Sequence, residues 1–347
     1  MKVDLSSYFK GLDALLISSP GNIVYLTGYS GFSVTERECF LLLTKNKKYL
    51  ITDKRYSQAV KKIPGFEIID SGATNFLARN EKLLDSISIL GIEENDLRVS
   101  EYRLLKKWVG KLLNFDLSKL REIKSEEEIR KLKSASKLAD EAFEFAVDKL
   151  KVGISEKELA NEIIWFLKSK KAGTSFPPIV AFGENSAIPH HLPEDKKLSK
   201  NTIVLLDLGA ALENYCSDLT RTIFFGKAPK KFIDMRSAVL QAQKLAISKI
   251  KPGVKASEID KAARDYIISK GFPNIGHSVG HGVGVEVHEA PHISPNSQDI
   301  VSERMVFSVE PGIYLPGYGG VRIEDLVLVT DSGAQLISHS NQEIIEV

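Results

Sequence analysis

The chain has 347 residues, 43% hydrophobic and 27% charged, with 47 basic against 45 acidic side chains and a net charge of +2. That length allows a large core and two domains. The balanced charge, with no basic block, argues against a nucleic-acid partner, and no apolar run reaches the roughly 18 residues needed to cross a bilayer.

The opening stretch, MKVDLSSYFKGLDALLI, lacks the apolar run of a secretory leader. Two cysteines, Cys39 and Cys216, can make neither a disulfide framework nor a four-cysteine zinc site. They fit a reducing cytoplasm as inert buried thiols. Short apolar runs at Ala14–Ser18, Phe40–Leu43 and Tyr49–Thr52, bounded by Gly, Pro, Asn or charged residues, predict strands. The pattern turns helical over Arg55–Lys62 and Asn75–Ile87. A small α/β domain is therefore expected to end near residue 122.

A start signal follows. Ser125 and Glu128 form an S-x-x-E capping box. After it, Ile129, Leu132, Ala135, Ala139, Ala142, Ala146 and Leu150 recur at three- and four-residue steps, one stripe of a long amphipathic helix. The domain boundary is placed just before it.

The second part contains an internal repeat. Lys151-Val-Gly-Ile-Ser-Glu-Lys-Glu-Leu159 returns 100 residues later as Lys251-Pro-Gly-Val-Lys-Ala-Ser-Glu-Ile259. Each copy lies between two helical patterns, then meets a histidine-bearing loop and an apolar strand ending in a carboxylate. The strands are Ile203–Asp207 and Met305–Glu310. A hairpin-like segment then carries a second acid, Asp218 or Glu324. The repeat thus pairs Asp207 with Glu310 and Asp218 with Glu324, and two pseudo-symmetric halves would bring four carboxylates to one cleft.

Those acids join His281 as five candidate metal ligands, in the frames LLDLGA, SDLTRT, GHGVG, VEPGIY and VRIED. Carboxylates ending strands of Val, Leu and Ile cost free energy unless paired or bound to metal. A hard set of four carboxylates and one imidazole suits paired divalent ions better than structural zinc. Two such ions roughly 3.5–4 Å apart can ionise a water between them, so metal-assisted hydrolysis is the leading reading. The competing account is a structural ion-pair network with Arg221 and Arg322.

Histidine placement points the same way. None of the seven precedes residue 190, and six fall between His190 and His292. Glycines around His281 allow close backbone approach to a ligand. Val285–Glu289 reads as extended rather than helical, which weakens a dinucleotide reading of GHGVG. His190, His277 and His288 are candidates for proton transfer or oxyanion stabilisation. His191, His292 and His339 are expected to be ordinary surface residues.

Together these frames resemble the metal-dependent Xaa-Pro peptidases of the pita-bread fold, namely Xaa-Pro aminopeptidase and Xaa-Pro dipeptidase (prolidase). The match runs through essentially the whole chain and is most specific in the ordered set LDLG, SDLTRT, GHGVG…VHE, VEPGIY and GGVRIED. The resemblance implies an α/β (α+β) protein with a creatinase-like, ribonuclease-H-like α/β domain over 1–122. A pita-bread metallopeptidase domain with a pseudo-two-fold repeat would occupy 123–347. It implies that Asp207, Asp218 and Glu324 hold one ion and Asp218, His281, Glu310 and Glu324 the other, with Asp218 and Glu324 bridging. Glu310 would also be general base. His190 and His288 would bind and protonate substrate, and His277 and Arg322 would support the ligands or touch substrate. Mn²⁺ or Co²⁺ is expected, and Zn²⁺ and Fe²⁺ accept the same donors.

The N-terminal segment resembles the same family's extra domain through PGNIVYLTGYSG and ITDKRY. In relatives that domain limits the cleft and contributes to dimerisation, so a homodimer acting on short proline-containing peptides is implied. The ITDKRY string leans toward aminopeptidase rather than prolidase. Asp53, Arg55 and Tyr56 within it are expected to form a salt-bridged strand end and turn. Methionine aminopeptidase shares the second domain but generally lacks the first. Creatine amidinohydrolase shares both but has lost the ligands. A non-enzymatic binding module of this fold would not retain the complete ligand set.

Overall fold

The structure is a computed structural model describing residues 5–72, 76–342 and 346–347. The chain divides into two compact units, Met1–Leu117 and Ser118–Val347.

In the first unit, apolar stretches alternate with helices: β1 (Ala14–Ile17), α1 (Pro20–Thr27), β2 (Phe40–Thr44), β3 (Lys48–Thr52), α2 (Lys54–Val60), β4 (Glu67–Asp70), α3 (Phe76–Arg79), β5 (Ile89–Ile92), α4 (Val99–Trp108) and β6 (Lys111–Asn114). They form a six-stranded sheet of order β4-β3-β2-β1-β5-β6. The pairs β1/β2 and β2/β3 are antiparallel, and the other three are parallel. Every residue of β1 is buried, as its continuous apolar run requires of a strand covered on both faces. Leu16, Leu42, Ile51, Leu90 and Leu105 are among the core residues. Asp53 caps α2, accepting from the Arg55 N–H at 2.8 Å, and its other oxygen pairs with the Arg55 guanidinium at 2.8 Å. The helix expected over Asn75–Ile87 begins at Asn75, which lies outside the described residues. From Phe76 it is only α3 and a 3-10 turn, Glu81–Leu83.

The second unit starts with α5 (Ser118–Glu122), whose Arg121 pairs with Glu286 at 2.5 Å. The expected boundary at 122/123 lies one short helix beyond the observed division. Its first half contains α6 (Glu126–Asp148), α7 (Glu156–Ser169), β7 (Gly173–Thr174), β8 (Ile179–Phe182), β9 (Thr202–Leu208), β10 (Ala210–Leu212), β11 (Tyr215–Cys216) and β12 (Leu219–Phe225). The second half contains α8 (Lys230–Lys249), α9 (Ala256–Ser269), β13 (Gly280–Gly282), β14 (Glu289–Ile293), β15 (Val306–Val309), β16 (Gly312–Leu315), β17 (Gly319–Arg322), β18 (Asp325–Thr330) and β19 (Gly333–Leu336). Ser125 caps α6 reciprocally with Glu128.

Each half has its own core. Ala142, Phe143, Leu159, Ile163 and Leu206 pack in one, and Phe232, Val239, Ile259, Phe307 and Val327 in the other. The repeat is reproduced bond for bond at its turns. Gly153 and Gly253 take φ of 91° and 90°, a region that favours glycine. Their N–H groups donate to Leu198 O at 2.9 Å and Val301 O at 2.8 Å. Leu198 and Val301 return N–H bonds to Ile154 O and Val254 O at 2.8 and 2.9 Å. The strands β8, β9 and β12 form one antiparallel sheet. The strands β14, β13, β15, β18 and β19 form a second sheet.

Candidate metal centre

Strand ends deliver the acids. In β9, Asp207 pairs across the ladder with Thr220 of β12, and Asp218 stands just before β12. Glu310 follows β15, and Glu324 lies between β17 and β18. His281 is the middle residue of β13, beside a register shift at His281/Gly282. A Cβ at Gly280 or Gly282 would run into the backbone of Ser308 or Ala290, so both glycines are required by close strand approach.

One cleft of about 510 Å³ is lined by Asp207, Asp218, His281, Glu310 and Glu324, and by His190, His277, His288 and Arg322. One wall is apolar, with Phe176, Pro177, Ile179 and Leu192. His281 Nε2 lies 3.3 Å from Glu310 Oε1 and 3.6 Å from Asp218 Oδ2. The donor atoms of Asp218, His281 and Glu324 all fall within 4.8 Å of one another.

The hydrogen bonds around these groups turn their free lone pairs inward. His281 Nδ1 is 3.2 Å from Gly282 O, a bond only an Nδ1–H can make, which leaves Nε2 facing the acids. The Ser308 hydroxyl accepts from the His281 N–H at 3.1 Å and donates to Glu310 Oε1 at 3.3 Å. Thr220 Oγ1 donates to Glu324 Oε2 at 2.6 Å. Arg322 donates to Asp207 Oδ2 at 2.5 Å. The other oxygens, Asp207 Oδ1, Asp218 Oδ1 and Glu324 Oε1, are buried and meet no donor. A buried acceptor without a partner costs about 1–3 kcal/mol, more when charged. Three of them on one cleft fit divalent cations, and the all-oxygen and imidazole chemistry suits Mn²⁺, Co²⁺, Zn²⁺ or Fe²⁺.

Electrostatics record the crowding. Burial first, then the neighbouring acids, pushes Asp218 and Glu324 well above the usual carboxylate range. Burial raises Asp207 as well, against the opposing charge of Arg322. Burial would also raise Glu310, but its hydrogen bond to His281 and the nearby charges, of His281 first and of Arg322, outweigh it and hold it at about 2. Desolvation lowers His288, and the nearby His281 adds to that. The two rings are 4.2 Å apart, edge to face at 72°.

Of the arginines offered as structural ion-pair partners, Arg221 turns away from the acids to Asp325 at 2.6 Å. Arg322 takes one oxygen of Asp207 and leaves the other free. Arg322 also donates to Tyr314 Oη at 2.9 Å, Thr220 Oγ1 at 3.1 Å and Pro189 O at 3.3 Å. Tyr314 Oη lies 2.9 Å from His277 Nε2, while His277 Nδ1 faces Ser278 O at 2.6 Å. The carbonyl demands Nδ1–H, so Tyr314 donates to Nε2 of a neutral ring, in keeping with the lowering of His277 by burial.

Two expectations are corrected. His191 is not a surface residue: it is buried and pairs with Glu156 at 2.8 Å. His292 is exposed, as expected, and it also lines the cleft. Val285–Glu289 is not extended: the bulge after His281 turns the chain, Gly284 N–H donates to Glu286 O at 3.0 Å, and strand pairing resumes at Glu289. Sequence reasoning also missed Thr220, Ser308 and Tyr314. Thr220 and Tyr314 lie inside the frames SDLTRT and VEPGIY, and alternation along β12 was a usable signal for Thr220.

Residues 130–331 match the model of metallopeptidase family M24, and residues 9–123 match the Creatinase/Prolidase N-terminal domain. An uncharacterized peptidase, YqhT, of Bacillus subtilis is 39% identical over 344 residues, covering 96% of each chain. An Xaa-Pro dipeptidase from Bacillus anthracis superposes with a TM-score of 0.92 at 36% identity, covering 99% of this chain and 98% of that one. An X-Pro aminopeptidase from Thermotoga maritima gives 0.89 at 34% identity, covering 99% and 100%. The α/β architecture with a creatinase-like first domain and a pita-bread second domain accords with both. The chain belongs to metallopeptidase family M24.

Proposed function

We propose that this chain is a dinuclear-metal exopeptidase that hydrolyses Xaa-Pro bonds, releasing the residue before proline. The observation that carries the metal reading is the set of partnerless buried oxygens on Asp207, Asp218 and Glu324, facing His281 and Glu310. Asp207, Asp218 and Glu324 would hold one ion, and Asp218, His281, Glu310 and Glu324 the other. Such ions, Mn²⁺ or Co²⁺ in our reading, polarise a carbonyl and bring the pKa of water to about 7.

The chain's own groups do the rest. Ligation needs His281 neutral. Glu310, on the same cleft, is the carboxylate we assign as proton acceptor. His288, whose pKa partial desolvation and the nearby His281 lower, and His190 line the same cleft and are placed to hold the substrate carbonyl and supply a proton. The proline nitrogen leaves as a secondary amine, and its one N–H is that added proton, because the Xaa-Pro amide has none of its own. His277 and Arg322, joined through Tyr314, brace Asp207 and the cleft wall.

Two features bear on the finer reading. Arg322 is the sole lysine or arginine among the described residues lining the cleft, and its donors are engaged by Asp207, Tyr314, Thr220 and Pro189. Among the described residues lining the cleft, no free guanidinium therefore faces a proline carboxylate, which favours an aminopeptidase acting on Xaa-Pro-Yaa. The dipeptidase reading is favoured instead by His190 and His292, which line the cleft and can take a carboxylate. Manganese-loaded protein should release the first residue of an Xaa-Pro-Yaa tripeptide and leave the Xaa-Pro dipeptide nearly intact. The reverse preference makes it a prolidase, and failure on both sinks the proline assignment. The reading extends to a cytoplasmic homodimer; Cys39 and Cys216 are buried free thiols, and light scattering checks the dimer.

A further inference from the structure

Glu156 is fully buried at the first turn of α7, where an isolated carboxylate would be costly. It is not isolated. Oε1 accepts from Phe182 N–H at 2.7 Å and Asn185 Nδ2 at 2.9 Å. Oε2 accepts from His191 Nε2 at 2.8 Å and Glu194 N–H at 2.9 Å. All these donors belong to one segment, residues 182–194, which carries His190. Glu156, His191 and Glu194 have metal-like spacing, but a carboxylate so fully engaged has no lone pair left for a cation. The opposite side of the segment is tied to the candidate centre. Arg322 donates to Pro189 O, and Gly320 N–H donates to Ser186 Oγ at 2.8 Å.

The equivalent helix of the other half does the same work with different residues. Asp260 of α9, fully buried, holds Arg264 through two 2.8 Å bonds and accepts from Val279 N–H at 3.3 Å. Arg264 in turn donates to Ile275 O at 2.6 Å and His277 O at 2.9 Å. Each of the paired helices α7 and α9 therefore uses a buried acid near its start to fix a histidine-bearing segment at the cleft.

We infer that Glu156, through its bond to His191, is a positioning residue that sets His190 over the cleft. The kinetic part of this inference rests on the peptidase reading above. The test uses the full chain with Glu156→Gln, His191→Leu and His191→Gln, alone and combined with His190→Ala. With an Ala-Pro-Ala tripeptide, Glu156→Gln and His191→Leu should each lose about 10–100-fold in kcat. His191→Gln, which keeps an amide donor for Glu156, should recover most of that loss. Added to His190→Ala, Glu156→Gln should cost less than about twofold more, because the two act through one group. A full additional loss would reduce Glu156 to a structural role and overturn the inference.

A second readout stands apart from activity. In metal-free, histidine-labelled protein, the His190 ring resonances should broaden or split in Glu156→Gln while those of His277 do not. An unchanged His190 would overturn the inference. If wild-type protein cleaves no proline peptide, the peptidase reading fails and this readout alone decides the positioning role. If Glu156→Gln does not fold, the two His191 variants carry the same comparison.

Discussion

Asp207, Asp218 and Glu324 each bury one oxygen that meets no donor, while their second oxygens, where bonded, are held by Arg322 or Thr220. That division of labour gives single-residue predictions. Asp218→Asn keeps the volume and removes the charge proposed to bridge the ions, so peptidase activity should fall by well over the ~100-fold typical of outer-sphere changes. Its thermal midpoint should hold in metal-free protein, because the carboxyl it replaces is already pushed toward its neutral form. Wild-type turnover would sink the two-ion account. Thr220→Val leaves the ligands in place but removes the donor that orients Glu324, and should weaken metal affinity ~10–100-fold by calorimetry. His288→Ala should lose ~10²–10⁴ in kcat with full metal content, and an unchanged rate removes it from the proton-transfer set. The acids and His281 were legible in the sequence because each stands in its own short frame. Thr220, Ser308 and Tyr314 were not, because a hydroxyl that orients a ligand carries no composition signal of its own.

The repeat was legible at the scale of elements because Lys-x-Gly recurs where both turns need a left-handed glycine, Gly153 and Gly253. Its two helix starts are not equivalent. Ser155 caps α7 reciprocally with Glu158, whereas Lys255 offers α9 no side-chain cap. The Ser155 N–H, then Lys197 and the Ser155 hydroxyl, hold the exposed Glu158 carboxylate at about 2, below its ordinary 4.5. A depressed acid contributes stability above its unfolded value and loses it as pH falls through the folded one. The Glu158 side-chain resonance should therefore titrate near 2, and Glu158→Gln should remove the acid-side dependence that the capping box adds between about 4.5 and 2. Titration near 4.5 would contradict the box. Periodicity placed α6 correctly because its stripe runs unbroken, with Ile129, Leu132, Ala135, Ala142 and Ala146 all buried. Alternation failed over Val285–Glu289, where the bulge beside His281 governs the backbone and no local pattern records it.

For the whole molecule, the sheets of the second unit hold the acids at strand ends packed against two separate cores, around one cleft. A metal that binds only the folded chain stabilises it by mass action, by about 2.7 kcal/mol at a hundred times its Kd. Chelation should therefore lower the thermal midpoint, and Asp218→Asn should abolish that response. The most direct test of the account is the stoichiometry of Mn²⁺ binding to chelator-treated protein by titration calorimetry, run beside Asp218→Asn. The account predicts two ions per wild-type chain and loss of both sites in the variant, since it assigns Asp218 to both. No binding by the wild type, or binding that Asp218→Asn leaves unchanged, would contradict it.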